Sequence, residues 1–448
     1  MNLASLLLDH PFDDDESLLC TLESSVSAGE ARAGAADIAD QLRAGGIEPG
    51  QAVAVQLPND PSAVVAMFGA WLAGAVYVPL NPRQTNAEVV AAMDAAAPAA
   101  FLDGGGVRAL SRSDRRYDPD TAFVTWTSGT TGLPKPVLQT HSGYFEILDR
   151  VLGTIRTDPS KRPPPNLIPV PLALNAGIYN VLFGLRAGAA VVIMERFATA
   201  DFAELVRRFE IRSTVLPPAG MTMLADDPAV TDLAPLRYVR SITAPLSPLA
   251  ARRFHDKFGV TVLNGYGQAE IGEVIGWTAA DAREHPEKLG AVGRPHPGVD
   301  IELTEEGELL VRPPRTAAGL DAERVDADGF VHTGDLARVD DDGFVWIEGR
   351  ISDVINRGGN KVFPDHVEEV LRLSPSVLDV AVVGVADERL GEVPVAFVVG
   401  EADAAALDAL CREHLVPYKV PAEFRFVESL PRNDVGKVLR RELIASYP

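Results

Sequence analysis

From Gly29 to Gly46 the chain reads GEARAGAADIADQLRAGG. Its apolar positions recur at helical spacing, and the pattern stops at Gly45-Gly46, a helix C-terminal signal. The short apolar run AVAVQL (52–57) then predicts a strand. Residues 62–80, SAVVAMFGAWLAGAVYVPL, carry no charge over 19 positions, which reaches the length of a membrane span. Gly74 divides the run. Its first part predicts a helix and AVYVPL a short buried strand ending near Pro79, so no membrane span is expected. The alternation continues with a helix at DFAELVRRF (201–209) and a strand at STVLPP (213–218). Such alternation predicts α/β layers with largely parallel strands.

From about residue 330 the pattern changes. GFVHTGDLARVDDDGFVWIEGR predicts two short strands about an acidic, solvated turn at 340–342. DHVEEVLRL (365–373) predicts a helix, and DVAVVGV (379–385) and PVAFVVG (394–400) predict strands. This is a compact α+β unit of about 100 residues, an ordinary domain size. The expected division is residues 1–349, a connection at 350–353, and residues 354–448. DGGGV (103–107) and KRPPPN (161–166) read as loops, and no internal repeat is visible.

With 448 residues the chain has room for two or three domains. Its net charge of −22 argues against nucleic acid or an anionic membrane as main partner. A polyanionic ligand would have to be met by local positive charge or backbone N–H groups. Cys20 and Cys411 lie far apart and give neither metal-ligand spacing nor a disulfide framework, which fits a reducing cytoplasm. The opening MNLASLLLDHPFDDDE has no basic residue before its apolar run, unlike a signal peptide.

Candidate chemistry begins at Thr127–Pro136, TSGTTGLPKP. So many hydroxyls, glycines and prolines predict a loop. Glycine lets the backbone approach a phosphate, N–H groups point inward, and hydroxyls add donors. The Walker pattern is absent, because Pro134 and Pro136 flank Lys135. Alone, the stretch fits a flexible surface turn better than a phosphate loop. Other stretches decide between the two: NGYGQAE (264–270), VGRPHPG (292–298), HTGD (332–335), GRISDVINRGGNKVFPDHVE (349–368) and PRNDVGKVLRR (431–441) follow in order.

Together these motifs resemble the adenylate-forming superfamily: acyl-CoA synthetases, peptide-synthetase adenylation domains and firefly-type luciferases. The resemblance implies an α/β fold with a large multi-layer N-terminal domain and a small mobile α+β C-terminal domain. It implies an acyl-CoA synthetase using ATP, Mg²⁺ and CoA, acting on a small-molecule carboxylic acid. Two alternatives stay open: an enzyme that loads a carrier-protein thiol, and a nucleotide-binding protein that has lost catalysis. By the same resemblance Thr127, Ser128, Gly129, Thr130, Thr131, Gly132 and Lys135 wrap the ATP phosphates. Pro136 stands where relatives carry Gly, and it has no N–H to offer. Thr243, Ala244, Pro245, Asn264, Gly265 and Gly267 line the nucleotide site, and Tyr266 stacks on adenine. Glu270 ligates Mg²⁺, while Ala269 replaces a frequent Thr. Asp335 accepts from the ribose hydroxyls, and Arg350 lies nearby.

The remaining roles follow from the same likeness. Ser352 marks the hinge, and Gly358-Gly359 line the path of the CoA thiol. Lys437 stabilises charge growing on the α-phosphate. The acyl pocket falls at Ala173, Leu174, Asn175 and Gly177. Asn175 stands where amino-acid-activating relatives carry Asp. A buried ammonium without a carboxylate partner is costly, so an apolar or bulky acid lacking an α-amine is expected.

Overall fold

The computed structural model describes residues 2–110, 113–128, 134–153, 161–241, 246–268, 270–314, 316, 320, 322–432 and 438–447. Of residues 127, 128, 134 and 135 it describes the backbone alone. The helix expected at 29–46 spans Ala28–Ala44. Ser27 caps it, accepting from the Glu30 N–H while the Glu30 carboxylate accepts from the Ser27 N–H, a reciprocal capping box. The uncharged stretch 62–80 forms a buried helix, Pro61–Leu72, and a fully buried strand, Val76–Pro79. Among the described residues no helix is long and apolar enough to cross a membrane.

Those strands build a six-stranded sheet. Its inner strands Ala100–Asp103, Ala52–Val55, Val76–Pro79 and Thr121–Ser128 are parallel, and an antiparallel strand closes each edge. One edge is the strand Pro134–Thr140, with Thr127 opposite Lys135 and Trp126 opposite Pro136. The stretch TSGTTGLPKP is therefore not all loop. Its first two and last three residues end the two strands of a hairpin, and residues 129–133 lie outside the described residues. Prolines are tolerated there because the strand is an edge.

A nine-stranded sheet follows, parallel from Thr261–Gln268 through Tyr238–Ser241, Ser213–Val215, Asn166–Ile168 and Val191–Ile193 to Ser17–Cys20. One continuous core joins it to the first sheet through the helices Ala28–Ala44, Pro61–Leu72, His141–Gly153 and Asn175–Arg186. Strands Asp300–Leu303, Glu308–Arg312, Val331–Val339 and Val345–Arg350 form an antiparallel sheet. A 3₁₀ turn, Ile351–Asp353, comes next, and Ile355 opens a separate sheet with its own core. The result is a large N-terminal α/β body and a smaller C-terminal α+β unit, as the pattern predicted. Cys20 and Cys411 are buried free thiols.

His141 ties the chain start to this core. Its Nδ1 accepts from the Leu3 N–H at 3.2 Å, and its ring packs edge-on against Trp71. Burial lowers its pKa from 6.5 to about 4, the Asp120 charge opposing only in part. Above pH 6.5 neither folded nor unfolded chain carries the proton. Below it the unfolded chain takes it up first, so stability falls between pH 6.5 and 4, by at most ~1.4 kcal/mol per unit. In urea unfolding at pH 7.5 and 5.0, wild type should lose more stability than His141→Gln by about 1–2 kcal/mol. An equal loss in both proteins would contradict this role for His141.

Candidate active site

Asp335 lies in the strand Val331–Val339, opposite Arg350 at the end of its neighbour. Its carboxylate is 5% exposed and is met by three donors. Tyr266 Oη donates to Oδ2 at 2.6 Å and Gln268 Nε2 to the same oxygen at 3.0 Å. Arg350 Nε donates to Oδ1 at 3.0 Å. Tyr266 and Gln268 are two apart on the strand Thr261–Gln268 and so share a face. Gln268 Nε2 also donates to the Thr333 carbonyl at 2.9 Å. Burial, then the Asp335 charge and hydrogen bond, push the Tyr266 phenol well above its ordinary pKa, so it stays protonated. A carboxylate has about four acceptor sites; three donors leave room for a ribose hydroxyl.

Arg324 extends the network, donating to Gln268 Oε1 at 2.7 Å and to Glu270 Oε1 at 3.3 Å. Glu270 is half-buried and points into this network. A hard cation such as Mg²⁺ takes one or two carboxylates and completes its shell with phosphate oxygens and water. Glu270 fits that donor set. The described residues contain no cluster of three acidic, His or Cys side chains that could hold a metal by themselves. Thus Tyr266, Glu270, Asp335 and Arg350 are brought together as expected, and Gln268 and Arg324 join them unannounced. Asn264 is buried behind them, its Nδ2 donating to the Ala291 carbonyl. Gly129, Thr130, Thr131, Gly132, Thr243, Ala244, Pro245, Ala269 and Lys437 lie outside the described residues.

The acyl-pocket candidates sit where the chain enters the helix Asn175–Arg186, with Ala173 and Leu174 just before it. A Cβ on Gly177 would come 2.2 Å from the Pro171 carbonyl oxygen, so only glycine fits. Asn175 Oδ1 accepts from the Tyr144 hydroxyl at 2.7 Å, which fixes the amide. A polar group acts on the same helix, through the charges of Glu273 and Arg240 on Tyr179. Glu273, largely buried on the strand Gly272–Gly276, pairs with Arg240 at 3.4 Å and with His296 Nε2 at 3.1 Å. Burial would raise its carboxyl, but the Arg240 charge and the His296 bond outweigh this and hold it below the usual range. A Cβ on Gly265 would lie 3.2 Å from Glu273 Oε1, which places the ion pair directly behind the Tyr266 strand.

The C-terminal candidates occupy two turns. Gly358 and Gly359 have φ of +58° and +86° and form the turn between Ile355–Arg357 and Asn360–Val362. A two-residue hairpin with both φ positive selects Gly-Gly without any thiol nearby. Ser352 lies in the 3₁₀ turn, its Oγ donating to Asp353 Oδ1 at 2.8 Å.

The profile of the family described as "AMP-binding enzyme" matches residues 11–117 and 111–320, and that of its C-terminal domain matches 366–437. The chain belongs to the AMP-binding enzyme family. Among family relatives, 4-coumarate–CoA ligase 2 of Nicotiana tabacum is 30% identical, covering 91% of this chain and 87% of its own length. The fatty acid–[acyl-carrier-protein] ligase ScoC of Streptomyces coeruleorubidus is 31% identical, covering 91% and 88%. The ATP-bound structure of MatB from Rhodopseudomonas palustris superposes with a TM-score of 0.86 at 26% identity, covering 100% of this chain and 99% of that one.

The two ends of Tyr266 should separate by mutation. Tyr266→Phe removes the donor to a buried carboxylate and should cost about 1.5–3 kcal/mol in urea unfolding. It keeps the aromatic face, so ATP half-saturation should move less than about threefold. Tyr266→Ala should raise it about tenfold or more. Equal ATP effects of both substitutions would remove the stacking role.

Proposed function

We propose that this protein activates a carboxylic acid as its adenylate and passes the acyl group to a thiol, CoA first among candidates. The observation that carries this reading is the Asp335 hub, which joins the NGYGQAE, HTGD and GR motifs around one buried carboxylate. The acid's carboxylate oxygen attacks the α-phosphorus of ATP, the bond to pyrophosphate breaks, and acyl-AMP forms. The thiol then attacks the acyl carbon and AMP leaves. Tyr266 holds adenine, Asp335 and Arg350 hold the ribose, and the 127–135 hairpin end and Thr243–Pro245 hold phosphates. Glu270 would hold Mg²⁺, which when bound would offset phosphate charge. Lys437 supplies the ammonium at the α-phosphate.

The chain divides at 350–353, where one sheet ends and the next begins, and this turn serves as the pivot that exchanges Lys437 for the thiol-side hairpin at Gly358-Gly359. The Asn175 amide, engaged with Tyr144, offers no charge to an α-ammonium. That supports an acid without an α-amine. The carrier-loading alternative is favoured by one observation, the likeness to an acyl-carrier-protein ligase.

Pyrophosphate release over a panel of acids, with CoA or with an acyl-carrier protein, tests the reaction and its acceptor. Lys437→Ala should slow adenylation by about 10²–10³ and leave thioester formation from preformed acyl-AMP nearly intact. Equal slowing of both halves would sink the two-conformation account. Absence of pyrophosphate with every acid would instead favour a nucleotide-binding protein without catalysis.

A further inference from the structure

Near the charges of the Arg240–Glu273 pair lie two buried donors that have no acceptor among the described residues. They are the Tyr179 hydroxyl, on the helix Asn175–Arg186, and Arg150 Nη1, on the helix His141–Gly153. They belong to one cluster: Glu273, Arg240 and Arg150 all act electrostatically on Tyr179. Burial pushes the Tyr179 phenol up, so it is protonated and can donate. Its helix begins at the acyl-pocket residues, and its ring packs against Tyr144, which holds Asn175. Glu273 sits directly behind the adenine-facing strand. The unmatched donors therefore occur where the body of the acid would run.

The missing element has a definite chemistry. Glu273 already receives His296 and Arg240, so a substrate ammonium finds no free carboxylate. Arg150 has Glu146 one turn earlier, whose charge acts on it, and Arg240 has Glu273. With each guanidinium so balanced, a second carboxylate on the substrate would bring an uncompensated buried charge. What two unpaired donors lack is a neutral oxygen acceptor. Resting on the adenylation reading above, we propose that the acid carries a keto or hydroxyl oxygen, remote from its carboxylate, that accepts from Tyr179 and Arg150. The expectation of an apolar acid then narrows to an apolar body with one such oxygen.

Sites built to hydrogen-bond a substrate group reject analogues lacking it far more strongly than sites that only fit its shape. ATP–pyrophosphate exchange is measured on two series, benzoic and 3-phenylpropanoic acids, each with hydrogen, hydroxyl, acetyl, carboxylate or aminomethyl at the para position. In at least one series the hydroxyl or acetyl member should exceed its plain parent by about 30-fold in kcat/KM. That ratio should fall below about threefold in Tyr179→Phe or Arg150→Met, whichever variant keeps the wild-type circular dichroism. Exchange that favours the plain, carboxylate or aminomethyl member in both series overturns the inference and leaves adenylation standing. A preference for the oxygen-bearing member that survives both substitutions also overturns it. Exchange with no acid at all overturns both.

Discussion

A buried carboxylate must be matched by donors or it is protonated or expelled. Asp335 is such a group, and much of the site is arranged around its demand. Tyr266 and Gln268 reach it from the nine-stranded sheet, while Arg350 reaches it from the neighbouring strand of its own sheet. Two sheets are thereby fastened at the place where nucleotide-binding motifs converge. Arg350 is also the last residue before the 3₁₀ turn that leads to the C-terminal sheet. The Asp335–Arg350 ion pair thus lies directly before the turn that leads to the C-terminal sheet.

The acyl side is governed by a different constraint. The acyl-pocket candidates include small residues at Ala173, Ala176 and Gly177, with Gly177 imposed by the Pro171 carbonyl. The nine-stranded sheet and the turn beyond its edge hold the Arg240–Glu273–His296 group. Buried ion pairs of this kind contribute little net stability, so their value here lies in orientation. On the reading proposed above, Tyr179 and Arg150 present donors there for an oxygen of the acid.

Local periodicity and capping made the helix Ala28–Ala44, the break at Gly74 and the antiparallel pair after residue 330 legible in the sequence. Ordered motifs made Tyr266, Glu270, Asp335 and Arg350 legible as one site. The strand at the chain start was not. Ser17–Cys20 finds its parallel partner at Val191–Ile193, a pairing that no local pattern reports. Arg240 and Glu273 were missed because an isolated charge in a short strand reads as solvent-facing until its partner across the sheet is known. Gly358-Gly359 was read through the thiol, though the hairpin turn explains it without one. For the strand ends flanking residues 129–133, glycine and proline content pointed to loop, while edge position permits strand.

The central claim is that the acid attacks the α-phosphorus of ATP. Turnover of an accepted acid labelled with ¹⁸O in both carboxylate oxygens, with mass analysis of every phosphorus product, tests it most directly. The account predicts one ¹⁸O in AMP and none in pyrophosphate, because the oxygen that bridges acyl and phosphoryl groups leaves with AMP. Label in inorganic phosphate, with ADP as the nucleotide product, or unlabelled AMP would contradict it.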